Sequence, residues 1–350
     1  METCLFSSIR SNLMICKIFN NLNQKTLFEI IHYNKYLQKR LNKDINSYKN
    51  FLKIEIEIIP EETRYGKFIN ISSNESYYHI YFNKNKEEIN RTKIYNGEII
   101  SKIKIVIDAG IKSLSELFKY CKCIKKINFT KFNLRDITDM NNMFSNCTSL
   151  KEINLSNIYT NNVIDMSNMF NNCSSLKELN LSYFNTNNVE NMSFMFSNCS
   201  SLEELSLTKF NTNKVIFMCS MFKGCKSLKK INLSEFNTNN VINISGMFNG
   251  CSSLEKLNLI NFNTDNITDM SFLFNSCYLL KVLNISNFNA NKLLYINNMF
   301  SNCSSLQELN ISNFKNVLVL DMQNMFKGCS SLKKLICDNM IIKNEYNNHV

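Results

Sequence analysis

The feature that most constrains this chain is a Met-Phe pair that recurs every 26 residues from Met143 to Met325, with Leu273-Phe274 in one of the places. A cysteine follows each pair, four residues after its first member, at Cys147, Cys173, Cys199, Cys225, Cys251, Cys277, Cys303 and Cys329. Leu117-Phe118 and Cys121 make an earlier, less regular copy. A period of about 20 to 50 residues is typical of a solenoid, in which each unit buries its apolar face against its neighbours. The sequence therefore predicts a solenoid of nine turns.

The first half of each copy has the spacing of a short helix. In the copy from Asn161 to Phe184, apolar residues recur on one stripe, at Val163, Met166, Met169, Phe170 and Cys173, which predicts about two helical turns. The position just before the cysteine is Asn or Gly in seven of the eight regular copies. These residues best tolerate the left-handed conformation, so the helix is predicted to end there. Aspartates recur at the predicted helix starts, where capping is commoner than acid–base chemistry: Asp139, Asp165, Asp269 and Asp321.

The second half of each copy has a leucine-rich pattern, which reads Leu176-x-x-Leu179-x-Leu181-x-x-Phe184 in the same copy. Leu179 and Leu181 alternate with polar residues, so they are predicted to point inward from a strand, and stacked copies would form a parallel sheet. Two sets of phenylalanines, one from Phe118 to Phe326 and one from Phe132 to Phe314, are predicted to stack as internal columns. The central column of the outer sheet face is mostly Asn and predicts a ladder of amides bonded along the sheet.

These runs resemble a known family. The stretch from Phe184-Asn185-Thr186 through Met192-Ser193 to Met195-Phe196-Ser197-Asn198-Cys199 is similar to the BspA-like leucine-rich-repeat proteins, and the resemblance extends from about residue 117 to 340. It implies a leucine-rich-repeat fold with members that are often surface-exposed or secreted and that act in adhesion and protein binding. No catalytic residue comes with the resemblance.

The chain divides into four predicted parts: a helical N-terminal segment, 1–50; a small β-rich region that caps the solenoid, 51–108; the nine-turn solenoid, 109–340; and a tail, 341–350. The predicted fold class is an α/β solenoid, with a parallel sheet on one face and short helices on the other, preceded by a small α+β region. In the β-rich region, Ile54, Ile56 and Ile58 alternate with charged residues, as in a strand with one solvent-exposed face. The N-terminal helices resemble an F-box in outline only.

Composition excludes some classes of function. The net charge of +11 is spread along the chain, so no concentrated basic face is predicted and no nucleic-acid partner is expected. No apolar window is long enough for a membrane span, and Met1 to Phe19 lack the apolar core of a signal peptide. The predicted location is the cytoplasm, where cysteines stay reduced, with the cell surface as the alternative.

No catalytic, cofactor or metal site is predicted. The cysteines lie 26 residues apart without Cys-x-x-Cys pairs or accompanying histidines, so zinc spacing is absent and a packing role is favoured. The three histidines, His32, His79 and His349, are scattered. The chain is therefore predicted not to be an enzyme and to need no cofactor.

Function is expected where the copies differ on the outer sheet face. The candidate partner-binding residues are Glu152, Glu178, Glu204, Lys230, Lys256, Ile260, Tyr278, Val282 and Glu308. They predict a protein-interaction module that presents this face to a protein partner. The alternatives are a BspA-like surface adhesin and an F-box-like ubiquitin-ligase substrate adaptor. The last strand, Leu335-Ile336-Cys337, is predicted to be an uncovered edge that allows an end-to-end homodimer.

Overall fold

The computed structural model describes residues 19, 30–31, 34–42, 45–71, 75–314 and 319–349. The helices of this part are α1 (Lys35–Arg40), α2 (Ile45–Phe51) and α3 (Met340–Asn347). The strands are β1 (Ile54–Pro60), β2 (Gly66–Lys67), β3 (Tyr78–Phe82), β4 (Lys93–Ile94), β5 (Ile103–Ile107), β6 (Ile124–Phe132), β7 (Glu152–Asn154), β8 (Glu178–Leu179), β9 (Glu204–Leu205), β10 (Lys256–Asn258), β11 (Val282–Asn284), β12 (Glu308–Asn310) and β13 (Lys334–Ile336). The signal-peptide prediction and most of the F-box-like segment lie outside the described residues.

A five-stranded sheet of order β3-β5-β1-β6-β7 joins the N-terminal region to the repeats. Strand β1 pairs antiparallel with both β5 and β6, and β6 pairs parallel with β7. The alternation seen in the sequence lies in β1, where Ile54, Ile56 and Ile58 are fully buried. Glu55 and Glu57 face outward between them. The long strand β6 therefore belongs both to the N-terminal sheet and to the parallel stack of repeats.

The repeat columns form the core of the solenoid. Phenylalanine rings from Phe118 to Phe326 stack nearly parallel, with centroids 5.4 to 5.9 Å apart and planes within 16°. This confirms the first predicted internal column. The second set, from Phe132 to Phe314, is also buried, and Phe236 and Phe262 stack at 6.5 Å.

The predicted short helix in each repeat is wrong, because the described part of residues 109–339 contains no helix. Reverse turns take its place. The Cys147 N–H donates to the Phe144 carbonyl within a turn, 3.2 Å, while the Phe144 N–H donates to the Met169 carbonyl of the next repeat, 2.9 Å. The amide donors that a helix would use internally are thus divided between turns and neighbouring repeats.

Left-handed residues explain why turns form instead of a helix. Every repeat has two residues with positive φ, four apart, such as Asn142 (54°) and Asn146 (63°). A turn with a left-handed third residue is of type II, and this conformation interrupts a helix at each occurrence. The predicted left-handed column before each cysteine is confirmed, but it belongs to a turn.

A second parallel ladder runs along the turn side of the solenoid, from Ser113 to Asp321, as a series of single bridges between successive repeats. The aspartates of this ladder cap the turn that follows them. Asp165 Oδ1 accepts from the Ser167 N–H, 2.7 Å, and Asp269 Oδ1 accepts from the Ser271 N–H, 2.8 Å. The predicted capping role is present, although what is capped is a turn.

The Asn column on the sheet face does not form the predicted continuous ladder. Asn154 Nδ2 donates to Asn128 Oδ1, 2.9 Å, as predicted. Along the rest of the column the side-chain oxygen instead accepts from the backbone two residues on, as in Asn180 to Ser182 at 3.0 Å. Because such an Asx turn is local, it ends each short strand without linking the repeats.

Helix α3 covers the apolar core at the C-terminal end of the solenoid, whereas Ile336 of the last strand stays 42 % exposed. Ile342 is fully buried, and the ring of Tyr346 meets Phe326 edge-on at 5.7 Å. The Tyr346 hydroxyl donates to the Leu332 carbonyl, 3.0 Å, and Asn339 caps the helix by accepting from the Ile341 N–H, 2.9 Å. These contacts do not support the predicted homodimer through the C-terminal strand.

Candidate functional site

A groove of about 600 Å³ crosses the outer sheet face over three successive repeats. Its lining residues lie in the segments 178–182, 204–209 and 230–232. Strands β8 and β9 form one side of it and pair in parallel, with Glu178 opposite Glu204 and Leu179 opposite Leu205. The third segment, 230–232, forms no strand, so the sheet is interrupted at this point.

The floor of the groove is apolar. Leu179 and Leu205 are each 7 % exposed, and Ile231 is half-buried. Ser206 lies at the centre, in the column where the repeats on either side have Asn180 and Asn232. A serine side chain is shorter than asparagine, so it fills less of the groove at this position than the asparagines of the neighbouring repeats would.

The rim of the groove is charged. Glu178 and Glu204 lie directly opposite each other on neighbouring strands, and both are exposed. Elsewhere in the same column each glutamate has a cation: Lys126 Nζ lies 2.6 Å from Glu152 Oε2, and Lys334 Nζ lies 3.2 Å from Glu308 Oε2. The hydrogen bond from Lys126 lowers the pKa of Glu152. Among the described residues, neither Glu178 nor Glu204 has such an ion pair.

The structure brings only some of the predicted face residues together. Glu178, Glu204 and Lys230 line the groove, and Ile260 lines a smaller adjoining one of about 250 Å³. The others lie outside both linings: Glu152, Lys256, Tyr278, Val282 and Glu308. Tyr278 is in the turn after its cysteine and not in a strand, and its carbonyl accepts from the Ser305 N–H, 3.2 Å.

Sequence reasoning missed two features of the groove. The floor leucines belong to the repeated pattern and were assigned to the core, where the structure places them, but both also line the groove. Ser206 was visible in the sequence as a serine in an Asn column. That departure from the column was a signal that could have located the groove.

The cysteine column has a hydrogen-bonding role that sequence spacing did not reveal. Cys173 Sγ donates to the Phe144 carbonyl of the preceding repeat, 3.1 Å, and the same bond recurs up to Cys329. Burial raises the pKa of the Cys199 and Cys251 thiols to about 12. These groups are therefore protonated at neutral pH, and a thiol in this form is a poor nucleophile.

A threonine column makes a similar bond between repeats. Thr186 Oγ1 donates to the Asn211 carbonyl and accepts from the Asn211 N–H, both at 2.8 Å. The same residue type recurs at Thr160, Thr212, Thr238 and Thr264, all buried. Each repeat is thus fixed to the next by side-chain as well as backbone hydrogen bonds, which holds the groove-lining strands in place.

A polar cluster lies apart from the groove, on the outer face of the N-terminal sheet. His79 lies between two carboxylates, with Nδ1 3.1 Å from Glu88 Oε1 and Nε2 3.3 Å from Asp108 Oδ2. Burial lowers the pKa of His79, but hydrogen bonds to Asp108 and Glu88 outweigh this and the pKa is raised overall. Burial raises the pKa of Asp108, and hydrogen bonds from Lys53 and His79 lower it by more.

Within the described part of the chain, no group of three or more His, Cys, Asp or Glu side chains is arranged to hold a metal ion. Over the same residues, no helix is both long and apolar enough to cross a membrane.

Comparison with solved structures gives distant likenesses to repeat proteins. A leucine-rich repeat protein from Bacteroides ovatus ATCC 8483 is 20% identical, with a TM-score of 0.42, over 66% of this chain and 65% of that one. This chain thus spans less than two thirds of that protein's length. A leucine rich cell surface protein from Faecalibacterium prausnitzii A2-165 is 15% identical, with a TM-score of 0.26, over 64% of this chain and 85% of that one. A chain of a TLR13–ssRNA13 complex is 15% identical, with a TM-score of 0.25, over 61% of this chain and 33% of that one.

Family models match most of the chain, while no curated protein matches it. The model described as "Mycoplasma protein of unknown function, DUF285" matches residues 112–231, 196–307 and 256–345, which overlap to span 112–345. The model described as "BspA type Leucine rich repeat region (6 copies)" matches residues 46–160. The chain therefore belongs to the DUF285 family and is a BspA-like leucine-rich-repeat protein.

Proposed function

We propose that this protein is a non-enzymatic interaction module that binds a protein partner in the groove around Ser206. The observation that carries the proposal is the groove itself, which has an apolar floor within a mostly polar sheet face. Binding sites in proteins are typically concave and mostly apolar, with a few polar groups that set specificity. The groove has this composition, and its lining contains no histidine or cysteine.

Rigidity supports the same proposal. The strands under the groove are held by the threonine and cysteine bonds between repeats, such as Thr186 to Asn211 at 2.8 Å and Cys199 to the Phe170 carbonyl at 3.1 Å. A surface that is already ordered loses little conformational entropy when a partner binds. The repeats therefore act as a scaffold, and the groove acts as the recognition element.

The proposal can be tested by filling the groove. Ser206→Phe places a large ring over the floor leucines, whereas Gln323→Phe places the same ring on an exposed turn far along the chain. Each full-length variant and the wild type would be used for affinity capture with quantitative mass spectrometry, and the captured protein would then be purified for calorimetry. We expect Ser206→Phe to weaken binding at least tenfold and Gln323→Phe to leave it unchanged. Equal binding by all three chains would contradict the proposal.

The BspA-type match favours a second candidate, an adhesin that uses the same groove at the cell surface. The resemblance to that family implies surface exposure, whereas the sequence alone predicts a cytoplasmic protein. Protease treatment of intact cells separates the two: digestion of this chain, with a cytoplasmic marker left intact, supports the adhesin. The F-box-like adaptor remains a prediction that depends on residues outside the described ranges.

A further inference from the structure

Resting on the proposed function, we infer that the groove binds an extended, largely apolar segment of a protein partner through one basic side chain, held between Glu178 and Glu204. Three observations support this binding mode: the register of the two glutamates, the ion pairs elsewhere in their column, and the apolar floor of the groove.

The first observation is the register. Glu178 and Glu204 are direct partners on parallel strands, which places their side chains side by side at the spacing of neighbouring strands, about 4.8 Å. Like charges directly opposite on a sheet are destabilising. A cation between the two carboxylates would convert this repulsion into two favourable contacts.

The second observation is that the other glutamates of this column form salt bridges with lysines. Glu152 and Glu308 each have a lysine of an adjacent repeat at 2.6 and 3.2 Å. At Glu204 the next repeat also offers a lysine, Lys230, but strand pairing is lost there and the described salt bridges do not include it. Glu178 and Glu204 are thus the adjacent glutamates of the column that have no salt bridge within the described part of the chain.

The third observation concerns the floor. Leu179 and Leu205 lie immediately after the two glutamates and line the groove, where each keeps 7 % of its surface accessible. Lysine and arginine carry long aliphatic stems that pack on apolar surface while the charged end stays polar. Arginine also presents a planar fork that bonds carboxylates in pairs. One such side chain would therefore contact both floor and rim, and apolar neighbours in the same segment would cover the remaining floor.

Two lysines in the lining of the groove limit the number of basic residues in the partner. Lys209 and Lys230 are both exposed there. They would repel a second cation in the partner segment and attract an acidic group. A uniformly basic polymer is therefore a poorer fit than a segment with one basic residue. A divalent cation fits less well again, because Ca²⁺ requires about six to eight oxygen ligands and the rim offers two carboxylates.

The experiment uses fluorescent short peptides of alternating leucine and serine that differ at one central position, occupied by arginine, glutamine or glutamate. Binding to the full chain is measured by anisotropy at low and high salt. We expect the arginine peptide to bind at least tenfold more tightly than the glutamine peptide, with the glutamate peptide weakest and the difference reduced by salt. The variant Glu178→Gln/Glu204→Gln should lose the preference. The matched control Glu152→Gln/Glu308→Gln, in the same column, should keep it.

The inference is overturned if the arginine and glutamine peptides bind equally, or if the preference survives in Glu178→Gln/Glu204→Gln. Calorimetric binding of Ca²⁺ that depends on these two glutamates would also overturn it, in favour of a metal site. Circular dichroism checks that the variants fold. If the captured partner depends on Ser206 but not on the two glutamates, this inference fails and the proposed function stands. If it does not depend on Ser206, both fail.

Discussion

The Cys173 thiol donates a hydrogen bond to the Phe144 carbonyl of the preceding repeat, 3.1 Å, at a site that is completely buried. That carbonyl also accepts from the Cys147 N–H of its own turn, 3.2 Å. One oxygen thus receives a bond from within its repeat and another from the next. The cysteine column therefore links repeats by hydrogen bonds as well as by packing.

Replacement of Cys173 by alanine should destabilise the protein. The change removes a buried donor and leaves a small cavity, so we expect the free energy of unfolding to fall by about 1–3 kcal/mol. Cys219 is half-buried and off the column, so Cys219→Ala should change stability by less than about 0.5 kcal/mol. Urea denaturation of both variants measures the difference, and equal effects would show that the thiol bond contributes nothing.

Alkaline pH should destabilise the protein through the same column. Burial raises the pKa of the Cys199 and Cys251 thiols to about 12 from the ordinary value of 9.0. In the unfolded chain these thiols ionise near their ordinary pKa. At pH values above that pKa, the unfolded state therefore binds fewer protons than the native state. Stability is then fully present below pH about 9 and is lost as the pH rises toward 12. Thermal unfolding across this range checks the sign, and a constant midpoint from pH 8 to 11 would contradict it.

The core columns could be predicted from sequence because a 26-residue period repeats the same environment in every copy. The helix prediction failed for a physical reason: residues three and four apart share a face both in a helix and in consecutive reverse turns. The distinguishing feature is a second left-handed position, such as Asn142 beside Asn146. Its column also contains Phe194 and Phe272, and this variation obscured the signal.

The candidate site was predictable only in part. Alignment of the repeats shows that one position changes from Glu at 178 and 204 to Lys at 230. The structure places Glu178, Glu204 and Lys230 in the lining of one groove. The loss of strand pairing after β9, at residues 230–232, depends on backbone geometry and cannot be recognised from the type of any single residue. The groove itself could therefore not be predicted. Tyr278 was predicted to lie on the sheet face but lies in a turn. Aligning the repeats does not show at which residue each strand begins.

Removal of one ring from the stacked column tests how strongly neighbouring repeats depend on each other. Phe248 is fully buried between Phe222 and Phe274, with centroids 5.7 and 5.9 Å away. We expect Phe248→Ala to lower the free energy of unfolding by about 3–5 kcal/mol. Denaturation monitored by circular dichroism measures it, with the conservative Phe248→Leu as the control that retains most of the volume. Equal losses in the two variants would point away from cavity formation as the cause.

Two glycines in one column allow backbone conformation to be separated from steric overlap. Gly224 and Gly250 have φ of 70° and 74°. An added Cβ at Gly224 would overlap Asn198 Oδ1, whereas at Gly250 the nearest atom is 3.6 Å away. Both alanine variants should lose about 1–2 kcal/mol from the left-handed conformation, and Gly224→Ala should lose more. In a double-mutant cycle measured by thermal unfolding, Asn198→Ala should remove the extra loss of stability that Gly224→Ala shows over Gly250→Ala. Additive effects of Asn198→Ala and Gly224→Ala would show that overlap with Asn198 is not the cause of that extra loss.

The contacts of His79 with Glu88 and Asp108 should make the N-terminal region sensitive to pH in a defined direction. Its pKa is raised from 6.5, so the stabilising contacts of the protonated ring are present below that value and are lost as the pH rises through the folded-state pKa. The pKa of Asp108 is lowered from 3.8, so its contribution is present above that value and is lost as the pH falls. The network should therefore stabilise most between pH about 4 and 6.5. Proton NMR titration of the His79 ring measures the shift, and an unchanged titration in Asp108→Asn would show that the pair is not coupled.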